Sequence, residues 1–179
     1  MPTIDIGGVE KNFQIISNYL SNKFDNIYVI TTSFQKKKFF SNKIKFISLS
    51  NKFILKFPRR LKFLVGLFLL FKQLLKKEGD LVLSFQANIY CIYLCKLMNT
   101  KVIARSNTSP TNWSKNIFKI FIYKHALNLS DALIVNSYEF KKLIKKKFNV
   151  NAHCIYNPLN KKEILKKSKK KIKFNFFKK

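Results

Sequence analysis

Two adjacent glycines, Gly7 and Gly8, stand at the start of a segment with the hydrophobic spacing of a helix. A glycine pair ahead of a helix is typical of a turn where backbone approaches a ligand closely, and the amides at a helix start favour an anion. Such a turn normally follows a buried strand, but only residues 1–6, with Pro2 among them, precede this pair. The pair also fits a tight turn without a ligand, and it matches neither the dinucleotide fingerprint nor the phosphate loop.

Two further polar residues follow predicted strands. Arg105 comes after the strand at 101–104 and opens a polar loop, where its guanidinium could hold a phosphate or a carboxylate; a surface arginine is an equal alternative. Ser137 follows the strand at 132–135, and it could simply cap the next helix. No Ser/His/Asp arrangement, carboxylate pair or metal-ligand cluster is present, so the sequence identifies no catalytic residue and predicts no metal site.

The charge of the chain is strongly positive, because 36 Lys and Arg face 8 Asp and Glu for a net charge of +28. Such a charge attracts nucleic acid, anionic lipid or phosphorylated substrates. Most of the basic residues are Lys, in a composition rich in Asn, Ile and Phe, which is what an A/T-rich genome produces at exposed positions. The lysines are dispersed and no motif of a nucleic-acid-binding protein is present, so specific nucleic-acid binding is the least favoured of three hypotheses for the function.

The three cysteines are Cys91, Cys95 and Cys154. Their odd number and spacing argue against a disulfide framework and favour a reducing compartment such as the cytosol. Cys91 and Cys95 share one face of an apolar helical run and are predicted to be buried thiols.

Predicted strands and helices alternate along the chain. Strands are predicted at 27–32, 45–49, 81–85, 101–104, 132–135 and 152–156, and helices at 8–23, 59–77, 87–98, 112–128 and 138–147. The strands are continuous apolar runs, which predicts an α/β fold with a Rossmann-like parallel sheet flanked by helices. Ligands of such folds bind at the carboxyl ends of the strands.

The longest apolar run, 63–71, lies in the helix predicted at 59–77 and has basic residues on both sides. It is too short to span a bilayer. It fits a core helix, or a helix in the interface of an anionic membrane.

Four segments in order resemble the N-terminal domain of family 4 glycosyltransferases, which have two facing Rossmann-like domains. They are residues 2–12 (PTIDIGGVEKN), 102–110 (VIARSNTSP), 130–137 (SDALIVNS) and 155–159 (IYNPL). The last is similar to the segment that joins the two domains in that family.

The resemblance implies a hexosyltransferase that moves a sugar from a nucleotide-sugar donor to a lipid-linked or polysaccharide acceptor, with retention and without metal or other cofactor. It places Gly7 and Gly8 at the donor's phosphates or sugar, Arg105 in the cleft, and Ser137 at its border. It also implies a role in polysaccharide or cell-envelope synthesis. The basic helix predicted at 59–77 would suit an enzyme that works in the cytoplasm with peripheral contact at the inner membrane face.

The resemblance covers 1–160 as the acceptor-side domain, and 161–179 is predicted to be a Lys-rich tail that starts an interdomain linker. We expect the family's first strand to be missing and the donor-gripping second domain to be absent or separate, so the chain alone should not transfer sugar. A non-catalytic binding module or half of a split enzyme is the alternative.

Overall fold

The structure, a computed structural model, describes residues 1–5, 7–49, 56–76, 81–86, 88–113 and 116–169. In these ranges strands and helices alternate as predicted. The strands are β1 (Ile27–Ile30), β2 (Ile44–Ile47), β3 (Leu81–Ser84), β4 (Lys101–Ser106), β5 (Ala132–Val135) and β6 (His153–Cys154). The helices are α1 (Gly8–Leu20), α2 (Arg59–Leu75), α3 (Asn88–Leu97), α4 (Ile117–Leu129), α5 (Tyr138–Phe148) and α6 (Lys161–Ser168).

All strand pairs are parallel, and they form two sheets. One sheet consists of β1 and β2, and the other has the order β3-β4-β5-β6. Helices connect the parallel strands, because a parallel pair needs a long crossover. The predicted Rossmann-like α/β fold is confirmed.

An extended segment, residues 1–5, links the carboxyl ends of the two sheets. The Met1 amino group donates to the Ile30 carbonyl at 3.1 Å, and the Thr32 amide donates to the Pro2 carbonyl at 2.8 Å. Toward the other sheet, the Thr3 amide donates to the Gln86 side chain at 3.4 Å. These residues form no strand, and Ile6 lies outside the described residues.

Two hydrophobic cores lie on the sheets. The larger joins α2, α3, α4 and α5 to the four-stranded sheet and contains the buried Cys91 and Cys95, with Cys154 packed against it. The smaller is built around Phe13, where edge-to-face contacts with Phe40 and Phe85 place the ring centroids 5.7 and 5.0 Å apart. The buried cysteines agree with the sequence analysis.

Helix α4 differs from the prediction in its start and its orientation. A short 3-10 helix, Pro110–Asn112, precedes it, and α4 begins at Ile117 because the Asn116 side chain caps it by accepting from the Lys119 amide at 3.2 Å. The hydrophobic spacing predicts an apolar side made of Ile117, Phe118, Phe121, Ile122 and Leu127. The buried positions are Ala126 and Leu127, so Leu127 alone of that side is buried. Exposed on it are Ile117 and Phe118 (81% each), Phe121 (68%) and Ile122 (45%).

Other local differences are smaller. The basic stretch predicted as a loop at 36–43 begins in a 3-10 helix, Phe34–Phe39. Part of the predicted tail forms α6, and its remainder, 170–179, lies outside the described residues, as do 77–80 at the predicted end of α2 and Ala87 before α3. Across the described part of the chain, every helix falls short of the length and apolarity that a bilayer crossing requires.

Candidate functional site: a cleft at the ends of two strands

A cleft of about 450 Å³ opens at the carboxyl ends of β3 and β4. Polar and apolar side chains both line it. The polar lining residues, here called the polar wall, are Glu10, Gln86, Asn88, Arg105, Ser106, Asn107 and Thr108. The apolar lining residues, here called the apolar wall, are Val9, Phe63, Phe85, Ile89, Trp113, Tyr123 and Leu127. Arg59, at the start of α2, also lines the cleft. This is the location where ligands bind in open α/β sheets.

Side-chain amides hold the two strand ends together. Asn88, the first residue of α3, donates from Nδ2 to the Arg105 carbonyl at 2.9 Å, and its Oδ1 lies 2.8 Å from the Ser84 hydroxyl. Asn107 donates from Nδ2 to the Phe85 carbonyl at 3.3 Å. The polar wall is therefore positioned before any ligand arrives, which lowers the ordering cost of binding.

Arg105 is buried, with 2% of its surface exposed, and its guanidinium is already engaged. Nη2 donates to the Ile155 carbonyl at 3.1 Å and to Asn157 Oδ1 at 3.0 Å. Burial lowers the pKa of this guanidinium, but an arginine remains charged in proteins. Arg105 therefore connects the end of β4 to the segment after β6, through a contact with Ile155, which lies 50 positions further along the sequence.

Two buried atoms of the polar wall lack a hydrogen-bond partner within the described residues. They are Arg105 Nε, a donor, and Asn107 Oδ1, an acceptor. Leaving a buried polar atom unpaired costs about 1–3 kcal/mol. Both residues line the cleft, so a ligand that reached these atoms, accepting from Nε and donating to Oδ1, would recover this cost.

The glycine pair directly precedes Val9 and Glu10, which line the cleft, but neither glycine is itself a lining residue. Gly7 is the N-cap of α1 in extended conformation, and a side chain there would meet the Glu10 carboxylate, which lines the cleft and accepts from Gln86 Nε2 at 3.4 Å. A side chain on Gly8 would meet nothing within 4 Å. The backbone is therefore open at Gly8 and covered by a carboxylate at Gly7.

Ser137 lies apart from the residues that line this cleft. Its hydroxyl accepts from the Phe140 amide at 3.1 Å and caps α5, as the structural alternative in the sequence analysis predicted. The structure thus brings Arg105 and the start of α1 to one cleft and gives Ser137 a capping role.

Trp113, the only tryptophan of the chain, was not singled out from the sequence. Its Nε1 donates to Thr108 Oγ1 at 3.2 Å, and its ring packs against Tyr123 and Phe148 with centroids 5.7 and 5.5 Å away. The ring therefore forms a fixed part of the apolar wall. A lone tryptophan just beyond a polar loop after a strand is the signal that could have identified it.

Metal-ligating side chains do not cluster in the described residues: no group of three His, Cys, Asp or Glu could hold an ion there. Among the residues that line the cleft, the carboxylate is that of Glu10. The site is thus a polar and aromatic cleft whose charged groups are Glu10, Arg59 and Arg105.

A parallel sheet between helices, with a cleft at the carboxyl ends of its strands, defines a Rossmann-like ligand-binding domain. A family model described as Glycosyltransferase Family 4 matches residues 6–163, and the chain belongs to this family. Its function is therefore of the glycosyltransferase type. A search of curated proteins found no match.

Proposed function

We propose that this chain is the acceptor-side domain of a hexosyltransferase, with 1–160 as the domain and 161–179 as the start of the linker. The enzyme would transfer a sugar from a nucleotide-sugar donor to a lipid-linked or polysaccharide acceptor, with retention and without metal. The reaction would serve polysaccharide synthesis for the cell envelope, in the cytoplasm at the inner membrane face. Family membership supports the class of reaction, and the cleft supports a sugar ligand.

The observation that carries the sugar proposal is the pair of unpartnered atoms in the cleft. A sugar hydroxyl both donates and accepts, so sugar hydroxyls have the chemistry to pair with the Arg105 Nε donor and with the Asn107 Oδ1 acceptor. In the same cleft, Trp113 and Tyr123 offer aromatic surface for the apolar face of a sugar ring. A few placed polar groups among apolar side chains are typical of small-molecule sites.

The donor diphosphate would approach α1 from the side of Gly8. The backbone there is open, whereas Glu10 covers Gly7 with negative charge that repels phosphate. The amides at the start of α1 carry partial positive charge, and Arg59 adds a cation at the cleft. These groups would stabilise the departing diphosphate.

The chain alone would bind acceptor without turnover. In the family that this chain resembles, a second domain makes most of the contacts to the nucleotide-sugar donor. We therefore propose that catalysis requires such a domain, either in the same polypeptide or as a separate protein. A non-catalytic binding module predicts the same binding but gives no activity with any complementary half.

The proposal can be tested in the intact chain by fluorescence, because Trp113 is the only tryptophan of the sequence and lines the cleft. We would titrate the protein with methyl pyranosides and oligosaccharides, and separately with UDP and GDP, while following tryptophan emission. Asn107→Ala should weaken saccharide binding about tenfold, the effect of losing one buried hydrogen bond. Asn128→Ala is the matched control, because that exposed amide bonds to Lys124 on α4 and is not a cleft-lining residue.

Emission that no saccharide changes would contradict the sugar site. Equal affinity of both variants would remove the role of the unpartnered atoms. Product formed by the purified chain from a nucleotide sugar would refute the proposal that it is inactive alone, and a loss of product on adding EDTA to a complemented enzyme would refute independence from metal.

A further inference from the structure

Three neighbouring helices, α2, α3 and α4, form one layer over the four-stranded sheet. α3 contacts both α2 and α4, and all three bury one side in the larger core, through Leu70, Ile92 and Leu127 among others. The opposite sides of the three helices therefore face away from the sheet together. We call this surface the outer helical face.

The outer helical face is unusually apolar for a surface. On α4, Ile117 and Phe118 are each 81% exposed and Phe121 is 68% exposed. On α2, Leu64 and Phe68 are 62% and 54% exposed. These residues recur at helical spacing along each helix, so they form stripes of apolar surface of the kind that marks interaction sites.

The charge of this face has one sign. The sequences of α2, α3 and α4 contain no Asp or Glu, although the chain has 8 of them. The exposed basic residues on these helices are Arg59, Arg60, Lys72, Lys119 and Lys124. Apolar stripes among basic residues are the pattern of helices that lie in the interface of an anionic membrane.

We propose that the outer helical face docks on an anionic lipid bilayer, with the apolar side chains of α2 and α4 between the headgroups. The net charge of +28 favours this occupant over a second copy of the chain, because two such copies repel each other. The sequence pattern indicates this role for α2 alone, and the structure adds α4.

Docking in this orientation would also set the position of the cleft. Phe63 of α2 and Tyr123 of α4 both line it, so the cleft opens at the border of the outer helical face. A lipid-linked acceptor in the bilayer would then reach the polar wall without leaving the membrane. The inference rests on the proposed function for this last step only, because the docking itself needs no sugar.

The test is co-sedimentation of the full chain with lipid vesicles. Vesicles of phosphatidylcholine with about one-third phosphatidylglycerol would be compared with pure phosphatidylcholine, at low salt and at about 0.5 M NaCl, where exposed charges are screened. The variant Phe118→Ser/Phe121→Ser removes two exposed rings from α4. The matched control, Tyr19→Ser/Phe24→Ser, removes two rings that are 62% and 60% exposed at the end of α1 and just after it.

The wild type should bind the anionic vesicles and keep part of that binding in high salt, because apolar contacts are not screened. The α4 variant should partition at least about tenfold less in high salt, because it loses two aromatic side chains that would be buried in the bilayer, while the α1 control stays like the wild type. Circular dichroism would verify that both variants fold, and Trp113 titrations without vesicles would test the sugar site separately.

Three results would overturn the proposal. Complete release of the wild type by salt would mean charge attraction alone. Equal loss in both variants, or in neither, would mean that α4 does not dock. A dimer in sedimentation velocity that the α4 variant abolishes would assign the face to a second copy of the chain.

Discussion

The contact between Arg105 and Asn157 can be measured by a double-mutant cycle. Arg105→Met removes the guanidinium that reaches the Ile155 carbonyl and Asn157 Oδ1 at 3.1 and 3.0 Å. Asn157→Ala removes only the second of these acceptors. The double variant then isolates the energy of one hydrogen bond that joins β4 to the segment after β6.

The expected magnitudes follow from burial. Hydrogen bonds to a charged group contribute about 1.5–3 kcal/mol each when they are shielded from water. Ile155 is 52% exposed, so water can donate to its carbonyl after the guanidinium is removed. Arg105→Met also removes a buried cation and its unpartnered Nε, which offsets part of the loss. We therefore expect Arg105→Met to lower the free energy of unfolding by about 2 kcal/mol and Asn157→Ala by about 1 kcal/mol.

Urea unfolding at neutral pH would give the four free energies of unfolding in the cycle. The two losses should overlap, with a coupling energy of about 1 kcal/mol. A control cycle pairs Arg105 with Asn26, which accepts from Lys45 Nζ at 3.1 Å beside the other sheet, and it should be additive. A coupling between Arg105 and Asn157 below about 0.3 kcal/mol, the usual error of additivity, would refute the contact.

Three further changes test other parts of the structure. Asp131→Asn should destabilise at neutral pH, because hydrogen bonds from Lys96 and from the Val102 amide lower the pKa of this carboxyl group. Because the pKa of Asp131 is lower in the folded state, its ionised carboxylate stabilises the fold at pH values above the unfolded pKa of about 3.9. The difference in urea midpoint between the wild type and Asp131→Asn should therefore disappear as the pH falls below about 4. Gly66→Ala should cost about 1 kcal/mol in thermal unfolding, since the new Cβ would lie 3.0 Å from Pro2. Ser137→Ala should cost about 1 kcal/mol by loss of the α5 cap, read by the same melts.

Matched variants define what would contradict these predictions. Gly8→Ala adds a methyl group to open space, so it should leave stability within about 0.5 kcal/mol of the wild type. Equal changes in thermal stability for Gly66→Ala and Gly8→Ala would contradict the close approach of Gly66 to Pro2. A pH-independent gap for Asp131→Asn would show that its carboxylate does not carry the stabilisation. An unchanged melt for Ser137→Ala would dismiss the cap.

The sequence predicted those parts of the fold that depend on local pattern. The β-branched apolar run at Ile27–Ile30 and the alternation of strands with helices were sufficient for a parallel sheet, and Ser137 followed from capping chemistry. The location of the cleft followed from the general rule for strand ends. Each of these inferences needs only neighbours within a few residues.

The remaining features depend on long-range contacts. The partners of Arg105 lie 50 and 52 positions away, so the sequence could not show that its guanidinium is occupied. Periodicity gave the apolar side of α4, but it could not show that Ala126 and Leu127 supply the buried contacts while Phe118 faces outward. Nor could it show that Glu10 folds back over Gly7.

The division into two cores has a consequence for every spectroscopic experiment on this chain. Trp113 and all three cysteines belong to the larger core or pack against it, while the smaller core around Phe13 contains neither kind of probe. During unfolding, tryptophan emission and thiol labelling therefore report the opening of the larger core and not that of the smaller one. If the smaller half melts first, circular dichroism will lose signal before emission changes, and an apparent two-state fit to fluorescence alone would hide that step.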